Sequence, residues 1–204
     1  MKNLFFLLVF IGALSIYVYD YFYDINGTRP PRNAAELKHW QAPIQTNLPG
    51  THGIKFKHGQ LRFMAEFEVS GRVLGKKYYD DGRYAQIAPM DLSLGWQYMS
   101  KPRVYKNAKM HNHNRVFTWE GEIKIPRQDA IRSFANIHII PANEVVWKKL
   151  VALEKEQFVT LSGHLVHYDE RIKNRIFMLR TSLTRNDTGL ESCELMYVQS
   201  VEQY

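Results

Sequence analysis

Histidines, one thiol and a polar hydroxyl-rich stretch are the residues here whose chemistry is worth weighing first. His138 lies inside Ile137-His138-Ile139-Ile140 and is followed by Pro141. A histidine within so apolar a run is either a buried neutral ring with both nitrogens hydrogen-bonded, or a general base or metal ligand. Cys193 is the single cysteine, so no intramolecular disulfide forms. It alternates with Leu195 and Tyr197, which favours a small buried hydrophobe. Contact with His138 would make it a thiol–imidazole pair. Ser182-Leu183-Thr184-Arg185-Asn186-Asp187-Thr188-Gly189 is the densest polar cluster. Ser182 and Thr184 share one face of an extended strand. Arg185 pairs with Asp187 or Glu194 in an Asx-type turn, or centres a small anion-binding patch formed with Thr184 and Asp187. The catalytic candidates are therefore His138, Ser182 and Cys193, and the binding candidates Thr184, Arg185 and Asp187.

Other histidines give weaker signals. His111 and His113 lie two apart, a spacing that puts both imidazoles on one face of a strand and suits zinc or copper. No acidic third ligand stands at a useful spacing, and His164 and His167 point to opposite faces of their strand. No metal site and no cofactor are expected. The chain also lacks a Gly-rich phosphate loop, a paired-carboxylate signature and a nucleophile elbow.

The elements that must position these residues follow an apolar start. Leu4 to Tyr19 carries no charge, and Tyr17, Tyr19, Tyr21, Phe22 and Tyr23 form an aromatic belt at its exit. Residues 4–23 would span about 30 Å as a helix. This predicts an uncleaved signal-anchor over residues 1–24, single-pass in the inner membrane, with a cytoplasmic N-terminus and a periplasmic domain. Residues 25–60 hold Pro30, Pro31, Pro43, Pro49, Gly50 and Gly53 and read as an extended tether. Residues 61–204 form one β-rich extracytoplasmic domain.

Within that domain, Phe63, Ala65, Phe67, Val69 and Val73 alternate with polar residues, a half-buried strand. Residues 89–96 read as an irregular or short helical stretch and 101–114 as a polar loop. Strands follow at 116–125, 137–140, 158–167, 176–183 and 193–198. A helix after Pro141 places Val146, Leu150 and Leu153 on one face. The fold class is α+β and mostly antiparallel β: a small curled sheet or OB-like barrel with one inserted helix, behind one N-terminal transmembrane helix.

The net charge is +7, and the first 24 residues contribute −1 through Lys2, Asp20 and Asp24, so the basic excess belongs to the remainder. Those basic residues are spread along the chain, which gives a solubilising surface with affinity for anionic polymers but no specific nucleic-acid fingerprint.

Pro89 to Trp96 (PMDLSLGW), Asn136 to Ala142 (NIHIIPA), Val159 to Val166 (VTLSGHLV) and Thr184 to Val198 (TRNDTGLESCELMYV) resemble segments of an uncharacterised family of membrane-anchored proteobacterial envelope proteins. The resemblance runs from Tyr84 onward in scattered blocks. It implies a location and no catalytic role. Residue types and resemblance together lead to a membrane-anchored envelope binding or assembly domain, non-enzymatic, with an envelope protein or an anionic polymer as partner. The alternative is an envelope hydrolase using His138 with Cys193 or Ser182.

Overall fold

The computed structural model describes residues 14–15, 38–184 and 193–204. Ten strands dominate it: β1 (Ile44–Asn47), β2 (Gly53–Phe56), β3 (Gly59–Tyr78), β4 (Met90–Gly95), β5 (Ala108–His113), β6 (Val116–Gly121), β7 (Phe134–Pro141), β8 (Phe158–Ile172), β9 (Arg175–Leu179) and β10 (Glu194–Gln203). Four short α-helices lie between them: α1 (Gly82–Ile87), α2 (Pro102–Tyr105), α3 (Arg127–Arg132) and α4 (Glu144–Ala152). The architecture is α+β and mostly antiparallel.

Five strands close on themselves. β3 pairs antiparallel with β4, β4 with β7, β10 with β8, and β8 back with β3, while β7 and β10 run parallel. Numbered along the chain, the ring reads one, two, three, five, four. Closure leaves none of these strands with a free edge along its whole length. β3 can take part twice because it is 20 residues long. Its first half carries β1 and β2 and its second half carries β4.

The period-two pattern predicts the ring's interior. Phe67, Val69, Val73, Leu92, Leu94, Ile137, Ile139, Leu161, Leu165, Met196 and Val198 form one buried cluster. Val146, Leu150 and Leu153 join it, so α4 buries the face expected from its spacing. The Asn143 side chain caps that helix by accepting from the Val146 N–H at 3.0 Å. Gly163 lets β8 and β10 approach, since a Cβ there would lie 2.1 Å from the Tyr197 carbonyl oxygen.

Several elements differ from the sequence expectation. Residues 44–47 and 53–56 pair with β3 and His39 is buried, so the folded unit reaches back well before residue 61. Residues 90–95 form a strand with all six positions buried rather than an irregular stretch. That strand is covered on both faces, which its short length and internal Asp conceal. The polar segment 101–114 contains α2 and β5 instead of a loop. β5 and β6 form a separate two-stranded hairpin. Of the N-terminal apolar run, only Leu14 and Ser15 are described, both helical. Among the described residues no helix is long and apolar enough to cross a membrane.

Candidate functional site

Met90, Leu92 and Leu94 face the ring interior, so Asp91 and Ser93 must face outward from β4. The same alternation on β7 sends Ile137 and Ile139 inward and Asn136 and His138 outward. The register then sets Asp91 opposite His138 and Ser93 opposite Asn136. These two cross-strand pairs found a polar cluster on the outside of the ring.

The β5–β6 hairpin roofs it. Its turn has two residues, Asn114 and Arg115, between the paired His113 and Val116. Both have positive φ, +50° and +67°, as a type I′ turn requires. The turn delivers Arg115 over Asp91. Its Nη1 donates to Asp91 Oδ1 at 2.9 Å and to the Ala88 carbonyl at 2.8 Å. Its guanidinium lies 3.6 Å from the Tyr79 ring centroid and 4.3 Å from that of Tyr84, within cation–π range of both rings. Asn112 on the same hairpin donates to Ser93 Oγ at 3.1 Å.

Asp91 has no exposed side-chain surface and gathers donors on both oxygens. His138 Nδ1 lies 2.8 Å from Oδ1, and the Tyr79 hydroxyl donates to Oδ2 at 3.0 Å. Burial pushes this carboxyl up, but the hydrogen bonds and charges of His138 and Arg115 outweigh it and hold it below the usual carboxylate range. Asp91 is therefore ionised and only accepts, so His138 Nδ1 carries its hydrogen. Burial raises the Tyr84 hydroxyl well above its ordinary value, and the phenol stays neutral.

Three groups keep unused capacity. Arg115 Nε and Nη2 have no partner among the described residues, and neither is sealed from solvent. The same holds for His138 Nε2 and the Tyr84 hydroxyl. The Tyr84 ring stands edge-on to His138 at 5.3 Å.

Cys193 comes to this cluster. It precedes Glu194, which pairs with Ile137, so it falls in line with Asn136 across the parallel strands. Its thiol points at the Arg115 carbonyl at 3.8 Å, the oxygen that also accepts from Asn136 Nδ2 at 3.1 Å. Ser182 and Thr184 do not share a strand face, because residues 180–184 are not in a strand. Ser182 Oγ instead donates to the Thr184 carbonyl and accepts from the Thr184 N–H, both at 3.1 Å, a local hydroxyl turn. Arg185 and Asp187 lie outside the described residues. His111 and His113 are exposed, His164 stacks on Phe63 at 4.4 Å, and His167 Nδ1 accepts from the Thr181 N–H at 3.2 Å. Among the described residues no three potential ligands gather at a metal site.

Elsewhere, a concavity of about 380 Å³ lies between β1, β3, β8 and β10, with Glu66, Glu68, Ser162, His164, Gln199 and Ser200 on its walls. Ser162 Oγ donates to Glu68 there at 3.0 Å.

Asp91, Arg115, Tyr79 and Tyr84 were not picked out by the sequence reading. Asp91 carried a signal nonetheless: an aspartate at an outward position of M-D-L-S-L must find a cation or donors if that face is covered. Arg115 carried almost none.

No protein-family model matches the chain, and no curated protein or solved structure matches it either.

Proposed function

We propose that this chain is a single-pass inner-membrane protein whose periplasmic domain is a non-enzymatic binding or assembly module. The apolar run at 4–23, the aromatic belt and the resemblance to proteobacterial envelope proteins support the location. The ring order one, two, three, five, four, with a helix between strands three and four, supports an OB-like barrel. OB barrels receive ligands on strands two and three and on the loops joining strands one to two and four to five. Asp91 and His138 stand on strands two and three, Tyr84 on the first of those loops and Cys193 at the end of the other. The face is roofed by the chain's own hairpin, so a ligand meets Arg115 at its rim.

One observation carries the binding reading. Asp91 locks Arg115 and His138 in place, yet both keep unbonded nitrogens open to solvent. A rigid group with free hydrogen-bonding capacity is built to receive a ligand. The partner is an envelope protein or an anionic polymer.

The test has two arms. Alkaline phosphatase fused at Tyr204 is active, and a fluorescent protein that matures only in the cytoplasm is dark at the same position. The opposite result overturns the topology. Tagged full-length protein, solubilised in detergent, recovers a ligand or partner that the His138→Gln variant does not.

The hydrolase reading has one observation in its favour. A carboxylate holding His Nδ1 and leaving Nε2 free is the orientation of a catalytic dyad. Cys193 is then the nucleophile, since the Ser182 hydroxyl is engaged with Thr184. Cys193-dependent turnover of activated esters would establish it.

A further inference from the structure

The free edge of Arg115 is chemically specific. A guanidinium presents donors as forks, and Nη1 is already taken by Asp91 and Ala88. Nε and Nη2 remain, and together they form the side-on fork that grips two oxygens of one anion. The Tyr79 and Tyr84 rings, both against the guanidinium, restrict the orientation of this fork. Asp91 balances the Arg115 charge without covering that edge.

Two further groups lie beside the fork. Tyr84 stacks on the guanidinium, and its hydroxyl has no partner among the described residues. His138 stands edge-on to the Tyr84 ring. Its side chain is 6% exposed, and its Nε2 is unbonded among the described residues. A flat carboxylate fills a fork and offers little to donors above or below it. A tetrahedral oxyanion offers oxygens in three directions.

We propose that Arg115, Tyr84 and His138 form a receptor for a phosphate group on the ligand. This rests on the binding reading above and names the chemistry that the site takes. Arg115 holds two phosphate oxygens, the Tyr84 hydroxyl donates to a third, and His138 Nε2, the acceptor nitrogen while Nδ1 donates to Asp91, accepts from the P–OH of a hydrogenphosphate or monoester. Asp91 is the positioning residue, because it fixes Arg115 and His138 without touching the anion. The phosphate is carried either by a soluble ester or by a lipid headgroup.

The experiment uses full-length protein labelled with ¹⁵N-histidine in detergent micelles. Sodium phosphate and sodium acetate are titrated separately at constant ionic strength. His138 Nε2 is identified by its absence in the His138→Gln spectrum. Its resonance is expected to move saturably with phosphate, and with acetate only at about tenfold higher concentration. Tyr84→Phe, which removes one oxygen and keeps the ring stack, weakens the phosphate midpoint several-fold. Arg115→Lys loses the fork and weakens it by about tenfold or more. Nanodiscs of phosphatidic acid, whose headgroup is a phosphate monoester, compared with phosphatidylcholine separate the sources. A shift in phosphatidic acid alone assigns a headgroup, and a shift only with soluble phosphate assigns an ester.

Equal midpoints for phosphate and acetate overturn the proposal, as does an unchanged midpoint in Tyr84→Phe. If phosphate does not bind but His138→Gln still abolishes recovery of a partner, this inference falls and the binding reading stands.

Discussion

Asp91 Oδ1 and His138 Nδ1 face each other at 2.8 Å across paired positions of β4 and β7. Backbone register alone puts them together, so no loop has to close for the pair to form. The same carboxylate also holds Arg115. Removing its charge should therefore cost more than one hydrogen bond. Asp91→Asn leaves the Arg115 cation, 16% exposed, without a counterion, and a loss of about 3–5 kcal/mol is expected in denaturant unfolding. The ionised carboxyl is favoured in the fold. Its contribution is therefore present above about pH 4 and lost as pH falls through the lower folded value. That acid-side loss should be missing in Asp91→Asn.

His39 supplies a pH dependence of its own. It stacks on Phe158 at 3.9 Å and is buried. Burial first, with Arg72 and Lys38 adding, lowers its pKa from 6.5 to about 4. The unfolded chain takes up this proton before the folded one does. Stability is thus full above pH 6.5 and declines as pH falls toward 4, by on the order of 3 kcal/mol. His39→Phe should flatten that decline in melting curves collected between pH 7 and pH 4.

The Asn114-Arg115 turn holds both residues in the left-handed region, which Asn adopts readily and a β-branched residue does not. Asn114→Val leaves every site residue in place and is expected to cost about 1–2 kcal/mol, seen as a lower melting temperature.

Ring closure depends on Gly163. Its absent side chain admits the Tyr197 carbonyl, with which a Cβ would collide at 2.1 Å. Gly163→Ala should destabilise the domain by about 3 kcal/mol. Because the obstacle is backbone, no neighbouring side-chain rotation relieves it, and the loss appears as early melting of the sheet signal in circular dichroism.

Much of the sheet was legible. β3, β7, β8 and β10 each show an apolar face or run, and α4 shows its buried stripe after Pro141. His138 and Cys193 were visible as residues and do come to one cluster. The hairpin was not legible. Its strands, A-K-M-H-N-H and V-F-T-W-E-G, are polar on the solvent face. Its turn is Asn-Arg rather than Asn-Gly, the usual two-residue signal. Without the hairpin, Arg115 could not be placed, and without Arg115 the outward Asp91 had no evident partner. Period-two alternation in M-D-L-S-L was present, but the flanking Pro89 and Gly95 suggested a break. The ring order depends on long-range pairing, which local patterns do not encode.

On the proposed function, the outer face of the ring over β4 and β7 binds a partner through Arg115 and His138. The most direct measurement compares full-length wild type and His138→Gln, each tagged at the C-terminus, solubilised in detergent and shown to melt within a few degrees of each other. The account predicts that a protein or polymer copurifies with wild type and is lost with His138→Gln. Equal recovery by both proteins would contradict it, and so would no recovery by either together with Cys193-dependent ester hydrolysis by the wild type.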